Sequence, residues 1–224
     1  NVKIQSSGAG LGFNAGLHYA PSPNWSIGAA YRSKVRVRRK GDLHLRDLAP
    51  PLQPIVGGSA FNSDISSPMT FPDIISLGIA FRLPRATLTF DAEQIRWSSF
   101  RNQELNLKRE APPVAADSST PLDWRNIWTL RAGIEVPLSG ATALRAGYAY
   151  VPSPIPEHTL SPAAPDGAMH HLSIGFGHKL RDGLALDVFY TAGIGRKRNV
   201  ANAILSGAYD NTTHYAGVSI AQAF

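Results

Sequence analysis

The 224-residue chain predicts an all-β protein, a transmembrane antiparallel up-and-down β-barrel of which about nine strands are present. Three observations predict it. Apolar and polar residues alternate with a period of two along most of the chain, the links between alternating runs go short then long in strict succession, and aromatic residues gather at the ends of the runs. Alternating link lengths separate the two ends of a meander, as in membrane barrels with short turns on one side and longer loops on the other. Soluble sandwiches with Greek-key connections have no cause for such alternation.

The clearest unit is the hairpin within residues 128–157. Trp128, Leu130, Ala132, Ile134 and Val136 alternate with Thr129, Arg131, Gly133 and Glu135; after a short turn, Leu144, Ala146, Tyr148 and Tyr150 alternate with Arg145, Gly147 and Ala149. One face is apolar and the other charged or small. Upstream, Leu11, Phe13, Ala15, Leu17 and Tyr19 give a strand over 8–19, and Trp25, Ile27, Ala29 and Tyr31 start one that extends to Arg38. Residues 41–68 then read as a long connection, broken by Pro50, Pro51, Pro54 and the pair Gly57 and Gly58, yet carrying a thin apolar scatter. Ile75 to Phe81 and Leu88 to Ala92 form the next hairpin, closed by Trp97. Residues 98–123 read as a second long connection with a short helix over 102–110. After the 128–151 hairpin come a proline-rich link over 152–167, strands carrying Leu172, Ile174 and Phe176 and then Leu186, Val188 and Tyr190, a fourth link over 195–211, and a last strand with Ala216, Val218 and Ile220.

Runs of roughly 10 to 14 residues exceed the usual soluble strand and suit the tilted crossing of a bilayer. No apolar run reaches the roughly 18 residues of a membrane helix. Absence of cysteine excludes disulfides and thiolate metal sites. The net charge of +6 comes with basic residues spread mostly one per strand and no aromatic platform, so nucleic acid is not expected as a partner. The seven histidines show no zinc spacing, the Gly-x-Gly pairs lie in or beside strands and are not phosphate loops, and His170, His171 and Ser173 lack the elbow and third member of a hydrolase site. Neither cofactor nor catalysis is expected.

Several of these segments carry a resemblance. The hairpin W-x-L-R-x-G followed by L-R-A-G-Y-x-Y-x-x-S-P-I-P, the loop L-S-P-x-x-P-D, the strand H-x-L-S-I-G-F-G, and the earlier F-P-D-x-x-S-L-G-I-A-F and F-D-x-E-x-x-x-W-S-x-F resemble, in order and over nearly the whole chain, the C-terminal half of the FadL family of outer-membrane transporters. The resemblance implies a barrel of about fourteen strands with an N-terminal hatch, of which this chain would be the C-terminal portion. The family's Asn-Pro-Ala signature and its kinked third strand would lie outside these residues. It further implies residence in the bacterial outer membrane, passive uptake of long-chain fatty acids or other hydrophobic molecules, a monomer in the lipid bilayer, and recognition of the terminal Phe224 by the outer-membrane insertion machinery.

An amphiphile needs apolar contact and a cation or donor for its carboxylate. Arg32, Arg131 and Arg145 on the polar face are candidates for the second role; they also have Asp91, Glu93, Glu135 and Asp187 to pair with. By the resemblance, 41–68 is the fourth extracellular loop, so Leu43, Leu45, Leu48, Leu52, Ile55 and Phe61 are candidates for a hydrophobic landing groove, with packing of the loop as the other reading. Two functions of other classes stay open at this point: a general diffusion porin, and a soluble β-protein that binds a lipophile.

Overall fold

A computed structural model describes residues 1–162, 165–180, 183–202 and 206–222. The first half of the chain forms β1 (Val2–Ser7), β2 (Asn14–Ser22), β3 (Trp25–Arg32), β4 (Val35–Leu45), the one-turn helix α1 (Gln53–Val56), β5 (Phe61–Phe71), β6 (Ile74–Leu83), β7 (Ala86–Ile95), β8 (Asn102–Leu107) and β9 (Ser118–Pro121). The second half forms β10 (Ile127–Pro137), β11 (Thr142–Val151), β12 (Met169–Lys179), β13 (Leu184–Gly195), β14 (Arg198–Ala201), β15 (Ser206–Tyr209) and β16 (Thr212–Gln222). No helix among the described residues is long and apolar enough to cross a membrane.

The strands divide between two compact units. The larger holds a nine-stranded antiparallel sheet in the order β16-β13-β12-β11-β10-β7-β6-β3-β2, which is chain order read backwards and therefore a meander. Its links alternate in length as the sequence predicts: those of β2–β3, β6–β7, β10–β11 and β12–β13 are two to four residues, whereas those of β3–β6, β7–β10, β11–β12 and β13–β16 are far longer. The outer strands β2 and β16 each pair with one neighbour, so the sheet is open.

Register keeps like with like on this sheet. Leu130 sits opposite Tyr150 and Ala92, and Ile134 opposite Ala146 and Leu88; one residue along, Arg131 faces Asp91 and Glu135 faces Arg145. Among the described residues, the large side chains of the apolar side stay largely exposed within the unit. Ile174 remains 65% exposed and Val218 69%, in the company of Leu17, Leu77, Phe90, Leu130 and Leu172. Each such side chain left in water forgoes about 1.5–3 kcal/mol, and water-soluble surfaces seldom carry apolar patches beyond a few hundred Å². A hydrocarbon environment satisfies this face, and the hydrogen-bonded ladders satisfy the backbone there.

The smaller unit (Asn1–Phe13, Ser33–Asp73 and Trp97–Trp124) has the opposite arrangement. Its sheet, ordered β1-β4-β5-β8-β9, buries a core of Leu43, Leu45, Val56, Phe61, Ile65 and Leu107, with Leu48 and Leu105 packed against it. Phe61 is 1% exposed, and the Arg109 guanidinium lies over its ring at 5.2 Å. Gly57, at φ 80°, closes α1 in the left-handed conformation that favours glycine.

Here the structure departs from the sequence reading in five places. Residues 41–68 are not one long loop: 41–45 end β4 and 61–68 begin β5, two strands that pair through eleven registered positions, and the link from 46 to 60 with α1 is the irregular part. The strand expected to run from Trp25 to Arg38 is two, broken at Ser33 and Lys34, where the chain passes from the large sheet to the small one. The helix expected over 102–110 is strand β8, whose Leu107 pairs with Ile65. The strand expected over 8–19 starts at Asn14, and the link over 195–211 contains the antiparallel pair β14 and β15.

Candidate ligand-binding surfaces

Period-two alternation puts every charged residue named from the sequence on the same side of the large sheet. Arg131 on β10 donates through Nη2 to Glu93 Oε1 on β7 at 3.1 Å, and Ser76 Oγ on β6 donates to the other oxygen of Glu93 at 3.1 Å. Arg145 on β11 donates through Nε to Glu135 Oε2 at 2.6 Å and through Nη1 to Asp187 Oδ1 on β13. Both ion pairs of Arg145 and that of Arg131 join side chains that are partly solvated, so each contributes at most about 1 kcal/mol to stability. Their larger effect is on charge: Arg131 and Arg145 are neutralised in place.

Arg32, the last residue of β3, differs. It lies opposite Asn14 and Ile74, and among the described residues it has no carboxylate partner. The three arginines therefore share a face but not a site.

Small residues make room for these long side chains. A Cβ on Gly177 would lie 2.7 Å from Arg145 Nη1, and one on Gly78 would lie 2.6 Å from Asp91 Oδ1. Phe189 was absent from the candidates drawn from the sequence. It extends from the polar face of β13 over Gly217 of β16, an aromatic surface among polar neighbours. The signal was present in the sequence, since Phe189 takes the parity of Asp187 and Thr191 rather than that of Val188 and Tyr190.

The apolar candidates fall into two groups. Leu43, Leu45 and Phe61 are buried together in the small unit's core and Leu48 packs against it, whereas Leu52 and Ile55, on the turn and helix between β4 and β5, remain 37% and 41% exposed. Two open apolar hollows, of about 600 and 540 Å³, are lined chiefly by the outward face of the large sheet, one by residues such as Ile134, Ile174 and Tyr190 and the other by residues such as Leu77, Phe90 and Leu130. They are gaps between the side chains of the unpartnered apolar face. The polar face carries the charges that a headgroup needs.

On the apolar face, toward the long-link end, Tyr148 Oη meets His170 Nδ1 at 2.7 Å and Tyr190 Oη meets His214 Nδ1 at 2.6 Å. Rings with an apolar body and a polar tip suit a membrane–water boundary. His171 and Ser173 lie on the other face of β12, where Ser173 Oγ meets Thr191 Oγ1 at 2.8 Å. Among the described residues no group of three or more His, Asp or Glu side chains is placed to hold a metal. Phe224 lies outside the described residues.

A family model described as outer membrane protein transport protein (OMPP1/FadL/TodX) matches residues 2–224. Outer membrane protein P1 of Haemophilus influenzae is 29% identical over 199 residues, covering 88% of this chain and 40% of that protein. The long-chain fatty acid transport protein of Escherichia coli is 24% identical over 189 residues, covering 80% of this chain and 41% of that protein. The crystal structure of a Pseudomonas aeruginosa FadL homologue superposes with a TM-score of 0.74 at 24% identity, covering 93% of this chain and 50% of that one. The chain thus spans about two fifths of the length of these curated relatives and half of the solved one.

Proposed function

The chain belongs to the OMPP1/FadL/TodX family of outer-membrane transport proteins, and we propose that it forms the C-terminal wall of a barrel that admits long-chain fatty acids by passive diffusion. The observation that carries the reading is the pairing of faces on the nine-stranded sheet. An exposed apolar face fits the lipid of the outer membrane, and the polar face behind it bears two neutralised arginines and the uncompensated Arg32. Arg32 takes the carboxylate, since a cation without a counter-charge gains more from an incoming anion than one already paired. Phe189 supplies apolar area for the tail. Leu52 and Ile55, exposed in the small unit, supply the landing surface. The name of the Escherichia coli relative supports the fatty-acid assignment. Further strands close the barrel, because two open edges inside a bilayer would leave backbone groups unpaired at several kcal/mol each.

The test is uptake by the full-length protein in proteoliposomes, with oleate, toluene and glucose compared under no imposed gradient other than that of the solute. Oleate and toluene pass and glucose does not. Arg32→Gln raises the half-saturating oleate concentration about 10- to 150-fold, the equivalent of the roughly 1.5–3 kcal/mol of a charge-assisted hydrogen bond, and leaves toluene unchanged. Glucose passing as fast as oleate would make the protein a general diffusion porin. Toluene passing with oleate excluded would assign it to neutral hydrocarbons.

A further inference from the structure

The small unit carries a row of cations that the transport reading does not use. Lys34, Arg36, Arg38 and Lys40 alternate along β4 and its leading residue, and all four are exposed. Successive members lie about 7 Å apart, within one Debye length at physiological salt, so they repel one another. Nothing across the strand relieves this: Arg36 faces Thr70, Arg38 faces Pro68, and Lys40 faces Ser66 on β5 and Ser7 on β1. Among the described residues none of the four has a side-chain ion pair or hydrogen bond. Along β4 and β5 the acids begin where the row ends, with Asp42 opposite Asp64 and Asp64 held by Lys108 at 3.0 Å.

A second observation lies at the start of the row. Lys34, Arg36 and Arg101 line a polar hollow of about 410 Å³ together with Thr70, Ser98 and Ser99, with Glu104 the one acid on its wall. Phe100, also on that wall, packs on Trp124 at 4.9 Å, and Trp124 packs edge-on to Trp97 at 5.0 Å. Cations mixed with hydroxyls are the donors that phosphate oxygens take, and clustered tryptophans mark the boundary between a bilayer and water. The row also starts two residues after β3, whose apolar face is the membrane face. A polybasic segment next to a membrane-spanning element attracts anionic headgroups.

We propose that Lys34, Arg36, Arg38, Lys40 and Arg101 form a docking surface for the phosphate groups of a phosphorylated glycolipid in the outer leaflet. The hollow receives one phosphate, and Arg38 and Lys40 meet the next along the same headgroup. The bound anion offsets the mutual repulsion of the row and fixes the small unit to the membrane surface.

The test uses the full-length protein in phosphatidylcholine nanodiscs doped with diphosphoryl lipid A, and native mass spectrometry reads lipid A bound per protein. The fourfold variant Lys34→Gln, Arg36→Gln, Arg38→Gln, Lys40→Gln should lose binding at least tenfold, whereas exchanging each lysine for arginine and each arginine for lysine retains most of it. If the fourfold variant does not fold, the pairs Lys34→Gln with Arg36→Gln and Arg38→Gln with Lys40→Gln should each lose binding several-fold. Raising salt weakens binding to the wild type. Equal lipid A on wild type and variants overturns the proposal, as does equal binding of dephosphorylated lipid A. Displacement by inorganic phosphate at matched ionic strength also overturns it, since that would make the hollow a small-anion site.

Discussion

Among single residues, the least replaceable on the polar face are glycines. Gly177 lies beneath the point where the Arg145 guanidinium reaches Asp187, so any side chain there displaces the ion pair or the strand. Gly177→Val should destabilise the protein by about 1–3 kcal/mol, as overpacking does. Arg145→Gln should cost about 1 kcal/mol or less, since the pair is half solvated. The effects should be non-additive in the double variant, because the shortened side chain vacates the space that the valine needs. Urea unfolding in lipid vesicles measures all three. The charges of this face were legible in the sequence from parity alone. Their partners were not: parity shows that Arg145 shares a face with Glu135 and Asp187, but only register, with Arg145 opposite Glu135 and Asp187 opposite Gly177, brings the three together.

At the scale of elements, the nine strands of the large sheet were readable because their apolar face demands a large residue at nearly every second position. β4 and β5 were hidden for the opposite reason. The inward positions of β5 are Phe61, Ser63, Ile65 and Ser67, so small hydroxyl residues interrupt the apolar alternation, while Pro68 and the neighbouring glycines suggest a loop. In β8, Gln103, Glu104 and Leu105 suit a helix by propensity; pairing of Leu107 with Ile65 on one side and burial against Phe61's cluster decide for strand. Phe61→Ala should cost the small unit about 3–5 kcal/mol, as truncation of a buried aromatic does. Limited proteolysis checks this: cleavage should become fast between residues 46 and 60, while the strands of the large sheet stay protected. Equal protection of wild type and variant would mean that Phe61 does not hold this unit together.

The whole molecule has two kinds of surface chemistry in one chain. The small unit hides its apolar residues as a water-soluble domain does. The large sheet displays them, and keeps its arginines, aspartates and glutamates on the reverse face. That inversion is why the chain belongs in the outer membrane, and why the proposed transport chemistry is sought on the polar face. The chain has no cysteine, so single thiols can be placed at will. The most direct measurement is thiol labelling of the full-length protein in vesicles along β12, with Cys placed in turn at His171, Leu172, Ser173, Ile174, Gly175 and Phe176. The account predicts that Leu172, Ile174 and Phe176 sites accept a spin label relaxed by oxygen dissolved in lipid, and that His171, Ser173 and Gly175 sites react with a water-soluble reagent. Water access at both sets, or the reverse alternation, would contradict it.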